Sequence, residues 1–150
     1  MYEPIEKRRA LRAESDNRQI VSAESEIEVY ESIRNTLASA RITSINAINT
    51  AMVIAYWEIG RQINEAIGDR AKYGKQLLKY LSSRLTAEFG KGFDESNLRN
   101  IRKFYSTFPI RDALRHELTW THYRMLMRVD EPKRREFYLT ECAESSCTPR

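Results

Sequence analysis

Between Glu26 and Ile59 the chain holds neither proline nor glycine, the two residues that most readily interrupt a helix. Along this stretch Tyr30, Ile33, Leu37 and Ala40, then Ile45, Ile48, Met52, Tyr56, Ile59 and Ile63, recur mostly at steps of three and four. That spacing returns side chains to one face of a 3.6-residue helix, so the pattern predicts helix. Two arrangements fit it. One is a single long helix; the other is two abutting helices that break around Arg41–Ser44, where Thr43 and Ser44 lower helix propensity. A continuous helix of about 40 residues extends about 60 Å. That is longer than a domain of this size is wide, so it would act as an arm for an antiparallel neighbour or a dimer partner. Gly60 is read as tolerated within the helix, and Gly68 with Asp69 as its end.

At 150 residues the chain is long enough for one domain with its own core, so neither a disulfide nor a metal is required to hold it. A composition of 41% hydrophobic and 31% charged residues excludes wholesale disorder. No run of eighteen apolar residues occurs; Ala47–Ile59, the most apolar stretch, is broken by Asn49 and Glu58. The first residues lack the apolar segment of a secretory signal, and a cytoplasmic location is expected. Five glycines and four prolines are too few for a turn-rich β-protein. Cys142 and Cys147 have no compact second pair of ligands; with His116 and His122 the only histidines, two reduced thiols are expected and no metal.

Charge is unevenly placed. Residues 1–69 carry 8 Lys and Arg against 11 Asp and Glu, residues 70–135 carry 16 against 7, and residues 136–150 carry 1 against 3. The middle segment therefore stands at +9 within a chain whose net charge is only +4. A concentration of cations of this kind attracts polyanions by counterion release, nucleic acid foremost.

Residues 1–24 form a charged lead-in without sustained periodicity, expected to be disordered; residues 25–144 form the helical domain, and 145–150 a tail. After the long helix, Lys75–Phe89 reads as a second helix with Leu77, Leu78, Leu81, Leu85 and Phe89 toward the core. Gly90–Gly92 forms a tight turn, and Asp94 is placed to cap the next helix at the amides of Ser96 or Asn97. Leu98, Ile101, Tyr105 and Phe108 share a face of that helix, which Pro109 ends. A short helix from Asp112, one through Arg128 capped by Thr119 or Thr121, and a last one from Pro132 to about Glu144 complete an all-α fold of about six helices.

Helix, glycine turn and helix between Lys75 and Thr107 is the layout of a helix-turn-helix unit. With Leu98, Ile101 and Tyr105 inward, Arg99, Arg102, Lys103 and Ser106 point outward, where guanidinium forks and an ammonium can meet phosphates or a guanine edge. Asn97, near the helix start, could read an adenine. In the second basic run, Arg124 and Arg128 share a face opposite Trp120, Tyr123 and Leu126. Lys133, Arg134 and Arg135 then open the last helix, where cations oppose the helix dipole and a bridging anion would offset that cost. Trp120 and Tyr123 are expected in the core, and His122 as a polar helix residue. No nucleophile elbow, phosphate loop, dinucleotide fingerprint or zinc-type histidine pair occurs. Glu131-Pro-Lys133 matches half of a metal-dependent nuclease signature, but its cap position is read as structural.

Several of these segments, taken in order, resemble a known family. Tyr56-Trp-Glu-Ile-Gly-Arg-Gln-Ile63, Tyr73-Gly-Lys-Gln-Leu-Leu78, Gly92-Phe-Asp-Glu-Ser-Asn-Leu-Arg99, Phe104-Tyr105, Phe108-Pro109 and Leu118-Thr-Trp-Thr-His-Tyr-Arg124 are similar to the N-terminal domain of bacterial YhcG-type proteins. The likeness runs from about Ile27 to about Ala143. Leu118–Ala143 bears a weaker likeness to the helix-turn-helix region of ParB-type partition proteins. The resemblance implies a DNA-binding role ahead of a C-terminal PD-(D/E)XK nuclease domain. After Ala143 the chain departs from the family pattern, so a truncated chain without that nuclease domain, and without enzymatic activity, is expected. The expected partners are duplex DNA and a second copy of the chain, with no cofactor, membrane or small-molecule substrate. The alternative to DNA binding is an interaction or homodimerisation module built on the long apolar-striped helix.

Overall fold

The computed structural model of the protein describes residues 4–145. The elements are α1 (Ile5–Ile67), α2 (Ala71–Phe89), α3 (Glu95–Thr107), a 3₁₀ turn (Arg111–Ala113), α4 (Trp120–Leu126) and α5 (Pro132–Ser145). No strand occurs among the described residues. The fold is all-α with a long N-terminal helix, and α1 runs without a break through Arg41–Ser44. Cys147 and the tail beyond Ser145 lie outside the described residues.

Where residues 1–24 are read from sequence as a disordered lead-in, the structure has helix from Ile5 onward. Lack of apolar periodicity speaks only to burial. Glu6, Lys7, Ala10, Leu11, Arg12, Ala13 and Glu14 are strong helix formers, and no glycine or proline follows Pro4 until Gly60.

By contacts the chain divides into two compact units, Met1–Ile45 and Asn46–Arg150. In the first, every described residue is exposed. The second holds the core, in two adjoining clusters. One is built on Val53, Trp57, Phe104, Leu118, Tyr123, Leu126 and Met127. The other is built on Ile63, Ile67, Leu78, Leu98 and Ile101. Tyr56 and Trp120 pack against both and touch each other, with ring centroids 4.9 Å apart.

Within this unit α1 buries Val53, Trp57, Gly60, Ile63 and Ile67, steps of four, three, three and four. The buried face is thus turned from the sequence stripe of Met52, Tyr56 and Ile59, of which Met52 stays exposed. Gly60 explains the turn. A methyl group there would overlap the carbonyl oxygen of Ile101 and press on Cβ of Tyr105, so α1 crosses α3 backbone against side-chain hydrogen. What reads as a tolerated glycine is the crossing point. Trp57 secures the same contact by donating from Nε1 to the carbonyl of Phe108 at 2.7 Å, just before Pro109 ends the segment.

Phe104, absent from the stripe expected for α3, is fully buried and central to it. Its ring meets Phe108, Trp120 and Tyr123 at centroid distances of 5.7, 5.2 and 4.9 Å. Edge and tilted pairings of this kind add to the area each ring buries. The hydroxyl of Tyr123 accepts from the amide of Arg115 at 2.7 Å and donates to its carbonyl at 3.3 Å. Burial pushes the phenol up to about 12, since the phenolate would lose its water.

Candidate nucleic-acid interface

α2 and α3 pack together across the turn Gly90–Asp94. Gly90 and Gly92 take φ of +81° and +108°, a region that favours glycine, and so let the chain reverse between Phe89 and Glu95. Asp94 occupies the cap position in extended conformation, yet its carboxylate makes no capping bond. Asn97 ties the turn instead, donating from Nδ2 to the carbonyl of Gly92 at 2.5 Å. The side chain expected to read an adenine is therefore half-buried and used to close the turn.

The rest of the α3 face divides by how deeply each position sits. Arg99, Lys103 and Ser106 are exposed. Arg99 leans on Glu95 one turn back, 3.1 Å away, a solvent-facing pair of small worth that a phosphate can displace. Arg102 is half-buried and donates from Nε to Oδ1 of Asn64 on α1 at 3.3 Å, a consequence of Phe104 widening the buried arc. Ser106 bonds back to the carbonyl of Arg102.

The second basic run is arranged differently from its sequence reading. α4 ends at Leu126, and Arg128 and Val129 bond back to Met125 and Leu126 in a closing turn. Arg124 and Arg128 are both exposed but do not share a helix face, because Arg128 lies beyond the helix. Lys133 and Arg134 are exposed at the start of α5. Arg135 is turned inward: its Nε and Nη2 hold the carbonyl of Val129 at 3.1 and 2.7 Å, with Nη2 also 3.4 Å from the carbonyl of Asp130. It braces the α4–α5 turn. Glu131 precedes α5, and its carbonyl accepts from the amide of Arg135.

Thr119, not Thr121, caps α4, in a reciprocal box with His122. The amide of Thr119 donates to Nδ1 of His122 at 2.9 Å, and the threonine hydroxyl accepts from the amide of His122 at 3.5 Å. His122 is a polar helix residue as the sequence suggests, and it is buried, because capping turns its ring back under the helix start.

One feature of the unit carries no periodic signal in the sequence. A cleft of about 360 Å³ lies between Thr50, Val53 and Ile54 of α1 and the segment Arg111–Leu118, with Arg111, Arg115 and His116 on its wall. Loop arginines such as Arg111 and Arg115 escape any search for helical spacing. A cation on α1, by contrast, is already neutralised. Arg61 bonds both Glu58 and Glu65, and holds the Glu58 carboxyl below the usual carboxylate range. Among the described residues, no three His, Cys, Asp or Glu side chains are grouped to hold a metal ion, and no helix is long and apolar enough to cross a membrane.

An all-α unit with a glycine-turned helix pair and an exposed basic face is the class of protein that fold and surface define. Comparison with known families makes that specific: the chain belongs to the DUF1016 N-terminal domain family, whose model matches residues 32–150. It is 38% identical over 98 residues to a protein of Escherichia coli (strain K12) named "Putative nuclease YhcG", an alignment covering 61% of this chain. The chain spans about a quarter of that relative, 26% of its length. No solved structure matches it.

Proposed function

We propose that the chain is the DNA-binding module of a nuclease-type protein, reading or holding duplex DNA for chemistry performed elsewhere. The observation that carries this reading is the division of α3. Leu98, Ile101 and Phe104 are buried, while Arg99, Lys103 and Ser106 stand exposed on the second helix of a helix–turn–helix pair. Exposed Arg124, Arg128, Lys133 and Arg134 add four further cations from the same unit. Asn97, Arg102 and Arg135 hold the fold, so their contribution to DNA is the placement of the others. The relative's name supports the link to a nuclease. Among the described residues, the exposed arginines and lysines offer electrostatic recognition of phosphate.

The test is a titration of labelled random duplex, followed by anisotropy at about 50 and about 200 mM salt. Six or more phosphate contacts should lower affinity by about 10³ or more between the two conditions. Absence of binding at the lower salt would contradict the reading.

A further inference from the structure

In the unit Met1–Ile45 an apolar stripe of α1 is left uncovered by the described residues. Ile20, Ile27, Tyr30, Ile33, Leu37 and Ile45 are between 54% and 63% exposed. At 100° per residue they fall within an arc of about 140° on α1. A helix in water draws most of its stability from burying such a face, and side chains this large are not left uncovered over seven turns without consequence. We propose that residues 20–45 of α1 pair with the same segment of a second copy of this chain, in antiparallel orientation.

Charge selects both the occupant and the direction. The acids of the segment lie in its first half, at Glu24, Glu26, Glu28 and Glu31, and its bases in the second, at Arg34 and Arg41. Arg34 and Arg41 fall inside the apolar arc, so whatever covers the arc must supply carboxylates to them, because an unpaired guanidinium in an interface is costly. A parallel, in-register copy sets Arg34 against Arg34 and Glu26 against Glu26. An antiparallel copy does the reverse. The register that places Ile20 opposite the partner's Ile45 also places Glu24 opposite the partner's Arg41 and Glu31 opposite the partner's Arg34. Within one chain Arg34 pairs with Glu31, at 3.5 Å on the open surface. The area is adequate as well. Six side chains from each copy can remove on the order of 1,200 Å² in total, the lower edge of a stable interface.

The proposal is independent of DNA and is tested without it, on the full chain. Sedimentation across the micromolar range should show a concentration-dependent dimer, and Ile33→Glu with Leu37→Glu should return a monomer whose unit Asn46–Arg150 melts unchanged. For direction, Ile20→Cys and Ile45→Cys are made separately in a Cys142→Ala, Cys147→Ala background, mixed and oxidised. A disulfide joining position 20 of one chain to position 45 of the other is the expected product. A monomer at every concentration would overturn the pairing. Disulfides joining 45 to 45, or 20 to 20, in place of the mixed product would overturn its direction.

Discussion

Ile33 and Ile63 sit on the same helix and belong to the same run of apolar residues, yet Ile33 is 54% exposed and Ile63 is 4% exposed. The unit Asn46–Arg150 surrounds Ile63 with Ile67, Leu78, Leu98 and Ile101, whereas in Met1–Ile45 no described residue is buried. Helical periodicity states that a face is apolar. Whether that face is core or docking surface depends on what lies opposite, and that is a property of long-range packing. The contrast separates the two units: one is a folded module with a basic surface, the other a helical stretch whose apolar stripe is exposed.

Substitutions separate the two units by size of effect. Phe104→Ala removes a ring in contact with three others from a site with no exposure, and should cost about 3–5 kcal/mol in urea unfolding. Gly60→Ala forces α1 off the Ile101 carbonyl and should cost about 2–3 kcal/mol, although alanine is the better helix former. Were Gly60→Ala to stabilise the protein, the crossing of α1 and α3 would be misplaced.

A smaller effect appears in alkali. The Tyr123 phenol is raised from the ordinary 10.0 to about 12 in the folded chain, so the unfolded chain loses that proton first. Its contribution is complete below pH 10 and is lost as pH rises toward 12. Tyr123→Phe should remove this part of the alkaline loss, read as a flatter melting temperature across the window, at a cost of about 1 kcal/mol for the unpaired Arg115 amide. At the bottom of the scale, Ile33→Ala in a dilute, monomeric sample should change stability by less than about 0.5 kcal/mol, as for an exposed site. The same change should weaken self-association measurably.

Much of the fold was legible in the residues. The absence of helix breakers announced α1, the glycines at 90 and 92 marked the reversal before α3, and Pro132 opened α5. The ordered motifs around Trp57, Gly92–Arg99 and Thr119–Tyr123 identified the family. Less legible was every feature that depends on a distant partner. Gly60 owes its role to Ile101, and Arg102 turns to Asn64, 38 positions away. Asn97 looked like a base reader because a side-chain amide near a helix start is also what a base reader needs; the nearby Gly92 carbonyl takes it first. Arg128 lies two residues beyond the end of α4, where the sequence suggests continued helix because nothing local in Met125–Val129 breaks one. Among the ten cations and polar groups proposed for DNA, the sequence could not sort those that hold the turns from those that face outward.

Exposed Arg99 and Lys103 are the α3 cations expected to carry duplex binding, and replacing both tests them directly. Arg99→Glu with Lys103→Glu alters exposed positions only, so the protein should keep its melting temperature while duplex binding falls by a factor of about 10² or more and the salt slope drops by about two. Unchanged affinity in a folded double variant would contradict the account, and the basic face of α3 would then be no more than solvated surface.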